Sequence, residues 1–226
     1  AIVLPDVDPQ KVSQSLFDGA FSNSAQICVA TKRLYVHTDI YDDVRDRMVE
    51  IAKQAVLGDG SQQGTQFGPV QNKAQYERVM DLLDSARSDG LTIHQGSKPD
   101  LEGYFVPLTI IDNPPEDARV VVEEAFGPIL PMMRFNDIDE VIERANNTDY
   151  GLAGAVWSAD IAHALDIARR LETGTVWINE NLQSTPLTPL AGHKQSGFGA
   201  ENGIYGLREF TQPKAIYIPK SSTAVS

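Results

Sequence analysis

Cysteine is almost missing from this 226-residue sequence, and positive charge is scarce. A single cysteine, Cys28, excludes an internal disulfide framework and fits a reducing cytoplasm. Against 31 Asp and Glu stand only 19 Lys and Arg, giving a formal net charge of −12 that is spread along the chain. Such a surface repels phosphate backbones and argues against a nucleic-acid partner. No apolar run is long enough to span a bilayer, which argues against a membrane role. No signal-peptide pattern opens the chain, because acidic residues and prolines appear at once in AIVLPDVDPQ. His37, His94, His163 and His193 have no His or Cys partner at ligand spacing, which argues against a zinc site. The G-x-S-x-G turn of a serine hydrolase is absent. GFGAENG, residues 197–203, has three glycines at the wrong spacing for a dinucleotide fingerprint and no βαβ unit after it.

What is present is an ordinary globular composition, 42% hydrophobic and 22% charged. The apolar period switches repeatedly between 3.6 and 2. Helices are expected in DPQKVSQSLFDGAF, DIYDDVRDRMVEIAKQA, KAQYERVMDLLDSARSDG, DIDEVIERANN and DIAHALDIARRLETG. Strands are expected in RLYVH, LTIHQG, YFVPLTII, ILPMMRF, GAVWS, TVWIN and a final AIYIP. Residues 180–202 read as irregular, with a short helix near residues 205–210. This alternation predicts an α/β fold, a layered, mostly parallel sheet flanked by helices. One domain over residues 1–218 is the simplest division, with residues 219–226 as a frayed tail. The start lacks Met and is already strand-like in AIVL, as a cut into a longer chain would be.

Cys28 lies in FSNSAQICVATKRLYVH. Asn23 and Ser24 are good helix caps, which would put Cys28 in or near a first helical turn. Backbone N–H groups and the positive dipole end there favour a thiolate, and could hold an oxyanion formed when sulfur attacks a carbonyl. Lone cysteines on helices are more commonly buried and inert. Local sequence leaves both alternatives standing.

The same segment resembles the nucleophile pattern F-x-N-x-x-Q-x-C of the NAD(P)-dependent aldehyde dehydrogenase superfamily, at Phe21, Asn23, Gln26 and Cys28. EEAFGPILPMMRF resembles that family's E-x-F-G-P motif at Glu124, Phe126, Gly127 and Pro128. NNTDYGLAGAVWS, GTVWIN and PLAGHKQSGFGAENGIYGL continue the likeness in order and spacing to about Ile218. The resemblance covers only the C-terminal half of the family's usual polypeptide and implies its catalytic-domain fold. It implies that Cys28 attacks an aldehyde, that the thiohemiacetal passes hydride to NAD or NADP, and that the thioester is hydrolysed to the acid. It further implies that Glu124 hydrogen-bonds the nicotinamide ribose and that Phe126 packs against the cofactor. Ile27, Val29, Trp177, Leu187 and Leu190 fall in or near the segments that line the family's substrate tunnel. Asn179, Lys194 and Ser196 are expected to shape loops. Ala25 and Ala191 stand where glycine is common in the family, and Ala200 where many members carry a basic residue.

By the same resemblance, the dinucleotide-binding domain, an oxyanion-holding Asn and a water-activating Glu belong upstream of residue 1. The chain alone is then expected to turn over little aldehyde. The parent is expected to be a cytoplasmic homo-oligomer, joined partly through a late strand like AIYIP that would lack partners here. Two rival functions fit the same residues: a cysteine-dependent esterase or acyl-transfer domain, and a non-catalytic domain of the same fold.

Overall fold

The structure, a computed structural model, describes residues 1–218; the tail expected at residues 219–226 lies outside the described residues. In chain order it comprises strand β1 (Ile2–Val3), helix α1 (Pro9–Phe21), β2 (Leu34–His37), α2 (Thr38–Gln54), α3 (Lys73–Ser88), β3 (Thr92–Gln95) and β4 (Thr109–Asp112). Then follow the short helix α4 (Arg119–Val122), β5 (Ile129–Phe135), α5 (Ile138–Asn146), β6 (Tyr150–Gly151), β7 (Ala153–Trp157), α6 (Ile161–Arg170) and β8 (Thr175–Ile178). Three short strands, β9 (Leu190–Ala191), β10 (His193–Lys194) and β11 (Ala200–Glu201), precede α7 (Gly203–Glu209).

The main sheet has seven strands in the order β3-β4-β5-β2-β1-β7-β8. Only the β3–β4 pair at one edge is antiparallel; the other pairs are parallel. The expected α/β class, with its mostly parallel sheet between helices, is the observed one. Parallel strands must be buried on both faces, which explains the nearly unbroken apolar runs LYV, TII and ILPMM. Alternate residues of each strand feed two cores. Tyr35, Ile111, Met133 and Val156 meet α3, α4, α5 and α6 on one face. Leu34, Val36, Ile110, Leu130 and Met132 meet α1 and α2 on the other. Phe17 and Phe21 of α1 stack at 4.9 Å within the second core. Each such fully buried side chain contributes about 1.5–3 kcal/mol.

Helix starts are fixed by side-chain acceptors. Asp8 Oδ1 accepts from Gln10 N at 3.0 Å, and Asn72 Oδ1 from Gln75 N at 2.9 Å. Asp160 Oδ1 accepts from both Ala162 N and His163 N, at 2.9 and 3.1 Å. Each cap is worth about 1 kcal/mol.

Three sequence expectations fail. In YFVPLTII only the last three residues join β4; Pro107 has no N–H to give a ladder, and residues 104–108 approach the sheet as a loop. Residues 180–202 are not wholly irregular: β9 pairs with β11, and β10 with β6. Residues 215–218 of AIYIP form no strand and are exposed, since no described strand receives their backbone groups. No helix among the described residues is long and apolar enough to cross a membrane.

Candidate active site

The chain leaves α1 at Phe21 and makes a tight turn, Ser22–Ala25, in which Asn23, Ser24 and Ala25 have φ of 52°, 54° and 60°. Three consecutive left-handed non-glycine residues cost about 1–2 kcal/mol each, so other contacts must hold them. Ser24, buried, donates its hydroxyl to Gly68 O at 2.8 Å. Asn23 Nδ2 donates to Gln26 O, and Gln26 Nε2 to Asn23 O, both at 3.2 Å. Gln26 also reaches the loop before α3, donating to Pro69 O at 3.3 Å and accepting from Gln71 N at 2.9 Å.

Cys28 follows on a second turn closed by Ala30 N donating to Ile27 O at 3.1 Å, and its thiol is exposed. The expectation of a helix start is therefore corrected. Asn23 and Ser24 cap nothing, because their backbones are left-handed and the next helix is α2, beyond β2. The N–H groups of Cys28 and Val29 make no hydrogen bond among the described residues. They are unpaired donors next to the thiol along the chain, with no helix dipole behind them.

The Glu124–Pro128 segment is carried by α3. Gln75 Nε2 donates to Ala125 O at 2.6 Å and Phe126 O at 3.3 Å, while Arg78 donates to Glu124 O at 3.1 Å. Phe126 is left-handed, with φ of 45°. Gly127 is required by contact, since a Cβ there would lie 2.5 Å from Val79 Cγ2. The Glu124 carboxylate makes no hydrogen bond or ion pair among the described residues, leaving its oxygens open to hydroxyl donors.

These two segments meet in one cavity of ≈ 390 Å³. Cys28, Val29, Lys32, Glu124, Phe126 and Trp177 line it, together with the first residues of β1 and β7. It thus opens at the amino ends of the parallel strands. Ile27, Leu187 and Leu190 are not in its lining: Leu190 pairs across β9–β11, and Leu187 is exposed. Asn179 holds its loop, accepting from Ser158 N at 2.9 Å and donating to Ser158 O at 2.8 Å. Lys194 ties Asn146 O at 2.6 Å to Glu172 at 2.6 Å, and Ser196 Oγ accepts from Gly151 N at 2.9 Å.

Sequence reasoning passed over Lys32. Its Nζ donates to Ala25 O at 2.6 Å and sits 5.1 Å from the centre of the Phe126 ring. Burial lowers its pKa to about 8, against the opposing pull of Glu124 and Cys28. The only local signal was a lysine four residues after the cysteine, at the foot of a buried strand. Gln75 and Arg78 were also passed over, because their partners lie far along the chain.

The model of the aldehyde dehydrogenase family matches residues 1–216. Cytosolic aldehyde dehydrogenase 1 of Macroscelides proboscideus is 39% identical over 216 residues, 95% of this chain and 43% of that protein. An aldehyde dehydrogenase structure from Bacillus cereus superposes with a TM-score of 0.92 at 37% identity, covering 96% of this chain and 44% of that one. Betaine aldehyde dehydrogenase from Staphylococcus aureus, solved with NAD+, gives 0.88 at 35%, covering 92% and 42%. The chain therefore spans a little under half the length of these relatives.

Proposed function

Because the chain belongs to the aldehyde dehydrogenase family, we propose that Cys28 is the nucleophile of an aldehyde-oxidising site whose cofactor side is formed by Glu124 and Phe126. The observation that carries this is a single cavity containing an exposed thiol on a braced turn, an uncommitted carboxylate and an aromatic ring. Glu124, with its backbone fixed by Arg78 and its oxygens free, suits the paired hydroxyls of a ribose, and Phe126 offers the flat apolar contact. NAD or NADP, when bound, supplies the hydride acceptor.

The Cys28 thiolate adds to the aldehyde carbon, forming a C–S bond and an oxyanion. The free N–H groups of Cys28 and Val29 are this chain's own donors to that oxygen. After oxidation the thiohemiacetal becomes a thioester on Cys28, and water cleaves it to release the acid and the thiol. Val29 and Trp177 give the aldehyde an apolar wall. The pivotal water-activating base and the dinucleotide domain are proposed to belong to the part of the longer relatives that this chain does not span, so the chain alone turns over little aldehyde. Residues 1–218 are then one catalytic domain. A cytoplasmic placement is supported by the lone cysteine and the cytosolic relative, and self-association by the exposed apolar residues 216–218.

The test uses the chain and its Cys28→Ser variant. Mass mapping after iodoacetamide is expected to place the label on Cys28. Acylation by an activated nitrophenyl ester is expected to fall roughly a hundredfold or more in the Ser variant. Equal acylation of both proteins would remove Cys28 from this role. Ester cleavage that persists with Cys28 intact, but with no NAD(P)-linked oxidation even when the relatives' remaining half is supplied, would favour the acyl-transfer function.

A further inference from the structure

We propose that Lys32 is a positioning residue of this site: it clamps the Cys28 turn to the Phe126 turn and supplies a positive charge to the thiolate. This rests on the reading of Cys28 as nucleophile.

Both turns that Lys32 touches are strained. Ala25, whose carbonyl accepts from Nζ at 2.6 Å, has φ of 60°, and Phe126, whose ring lies under Nζ at 5.1 Å, has φ of 45°. Neither conformation is chosen by local preference, so each persists only through such outside contacts. The Lys32 side chain is half-buried and makes no ion pair among the described residues. A half-buried ammonium with one carbonyl and one ring for company is a costly way to join two loops. A neutral donor such as Gln would form the same hydrogen bond without losing hydration of a full charge. What Lys32 adds at this position, beyond what Gln would, is the charge itself.

The groups that act on that charge are Glu124 and Cys28, both of which favour the ammonium. Three other cations nearby are committed elsewhere, one of them Lys194, which holds Asn146 O and Glu172. Arg33 donates to Arg144 O at 3.2 Å and Ala145 O at 2.7 Å, at the end of α5, and Arg78 donates to Glu124 O. Arg33 and Lys194 line the cavity too, but Lys32 is the cation that touches both turns.

The test is the rate of Cys28 alkylation by iodoacetamide between pH 6 and 10 in the native chain, Lys32→Met and Lys32→Arg. Below pH 8, Lys32→Met is expected to react roughly three- to tenfold more slowly, and Lys32→Arg to recover most of the native rate. The native and Met rates are expected to converge above about pH 9, where Lys32 has given up its proton and its charge. A ratio constant across the pH range would mean that Lys32 only shapes the turn and would overturn the proposal. So would a Met variant within a factor of about two of native at pH 7. If Lys32→Met does not fold, Lys32→Arg against Lys32→Gln decides it: equal rates at pH 7 overturn the charge role. These outcomes are separate from the function itself, since the alkylation contrast can stand while ester acylation or NAD(P)-linked oxidation fails.

Discussion

Residues 1–178 and residues 179–218 treat their apolar side chains in opposite ways. In the first region they close over the sheet: Phe17 of α1 is 1% exposed, and Phe21 and Tyr41 are fully buried. In the second, Phe198 is 103% exposed and Phe210 90%, with Leu187, Ile216 and Tyr217 also open to solvent. A similar supply of large apolar residues thus builds a core in one place and a bare surface in the other. Amphipathic pattern reports that a face will be buried, but not whether the chain itself contains what buries it. The sheet region supplies its own partner helices, while the later arm has only two-residue strands that reach back to β6 and to each other.

The largest expected effect tests that contrast directly. Phe17→Ala should cost about 3–5 kcal/mol in urea unfolding, whereas Phe198→Ala or Phe210→Ala should change stability by less than about 0.5 kcal/mol. A cost above about 2 kcal/mol for Phe210→Ala would show that the arm is packed in solution. Next comes Gly127→Ala, whose Cβ would press on Val79 at 2.5 Å; a loss of about 1–3 kcal/mol by thermal melting is expected.

Smaller and opposite in sign are two alanines at positions where glycine is common in the family. Ala25 is left-handed and Ala191 is not. Ala25→Gly should relieve enough strain to gain roughly 0.5–1 kcal/mol after the entropy of a freer unfolded chain. Ala191→Gly should lose a similar amount. Equal signs in the two melts would contradict the geometry of the turn.

The last contrast is a pH dependence. Lys32 has a folded pKa near 8 against 10.5 for the free side chain, so the unfolded chain binds more protons between those values and stability rises with pH there. Tyr35 is pushed up to about 12, mainly by burial, and burial also raises Tyr41. Each tyrosine keeps its proton in the folded chain when the unfolded one has lost it, so stability falls again above about pH 10. In Lys32→Met the rise between pH 8 and 10 should flatten while the fall remains.

Most of the wrapped sheet was legible, because α1, α2, α3, β5, α6 and β8 carry clean periods and recognisable caps. The turn at residues 23–25 departs from the expected helix cap for a specific reason. Asn and Ser are favoured at helix caps, while Asn also tolerates a left-handed backbone, so the letters alone did not choose between the two. Of the candidate site, Cys28, Glu124 and Phe126 were legible only as parts of motifs in register. Gln75, Arg78 and Lys32 were not, since what they hold is set by the fold rather than by neighbours in sequence.

Residues 68–79 brace both halves of the cavity: Gly68, Pro69 and Gln71 hold the cysteine turn, and Gln75, Arg78 and Val79 hold the Glu124–Pro128 segment. Just before them, residues 59–66 form a largely exposed loop. Insertions and deletions should therefore be borne unequally along residues 59–79. Length can drift in the loop at little cost to the site, while one residue added between Gly68 and Asn72 would put the thiol and its carboxylate out of step with each other.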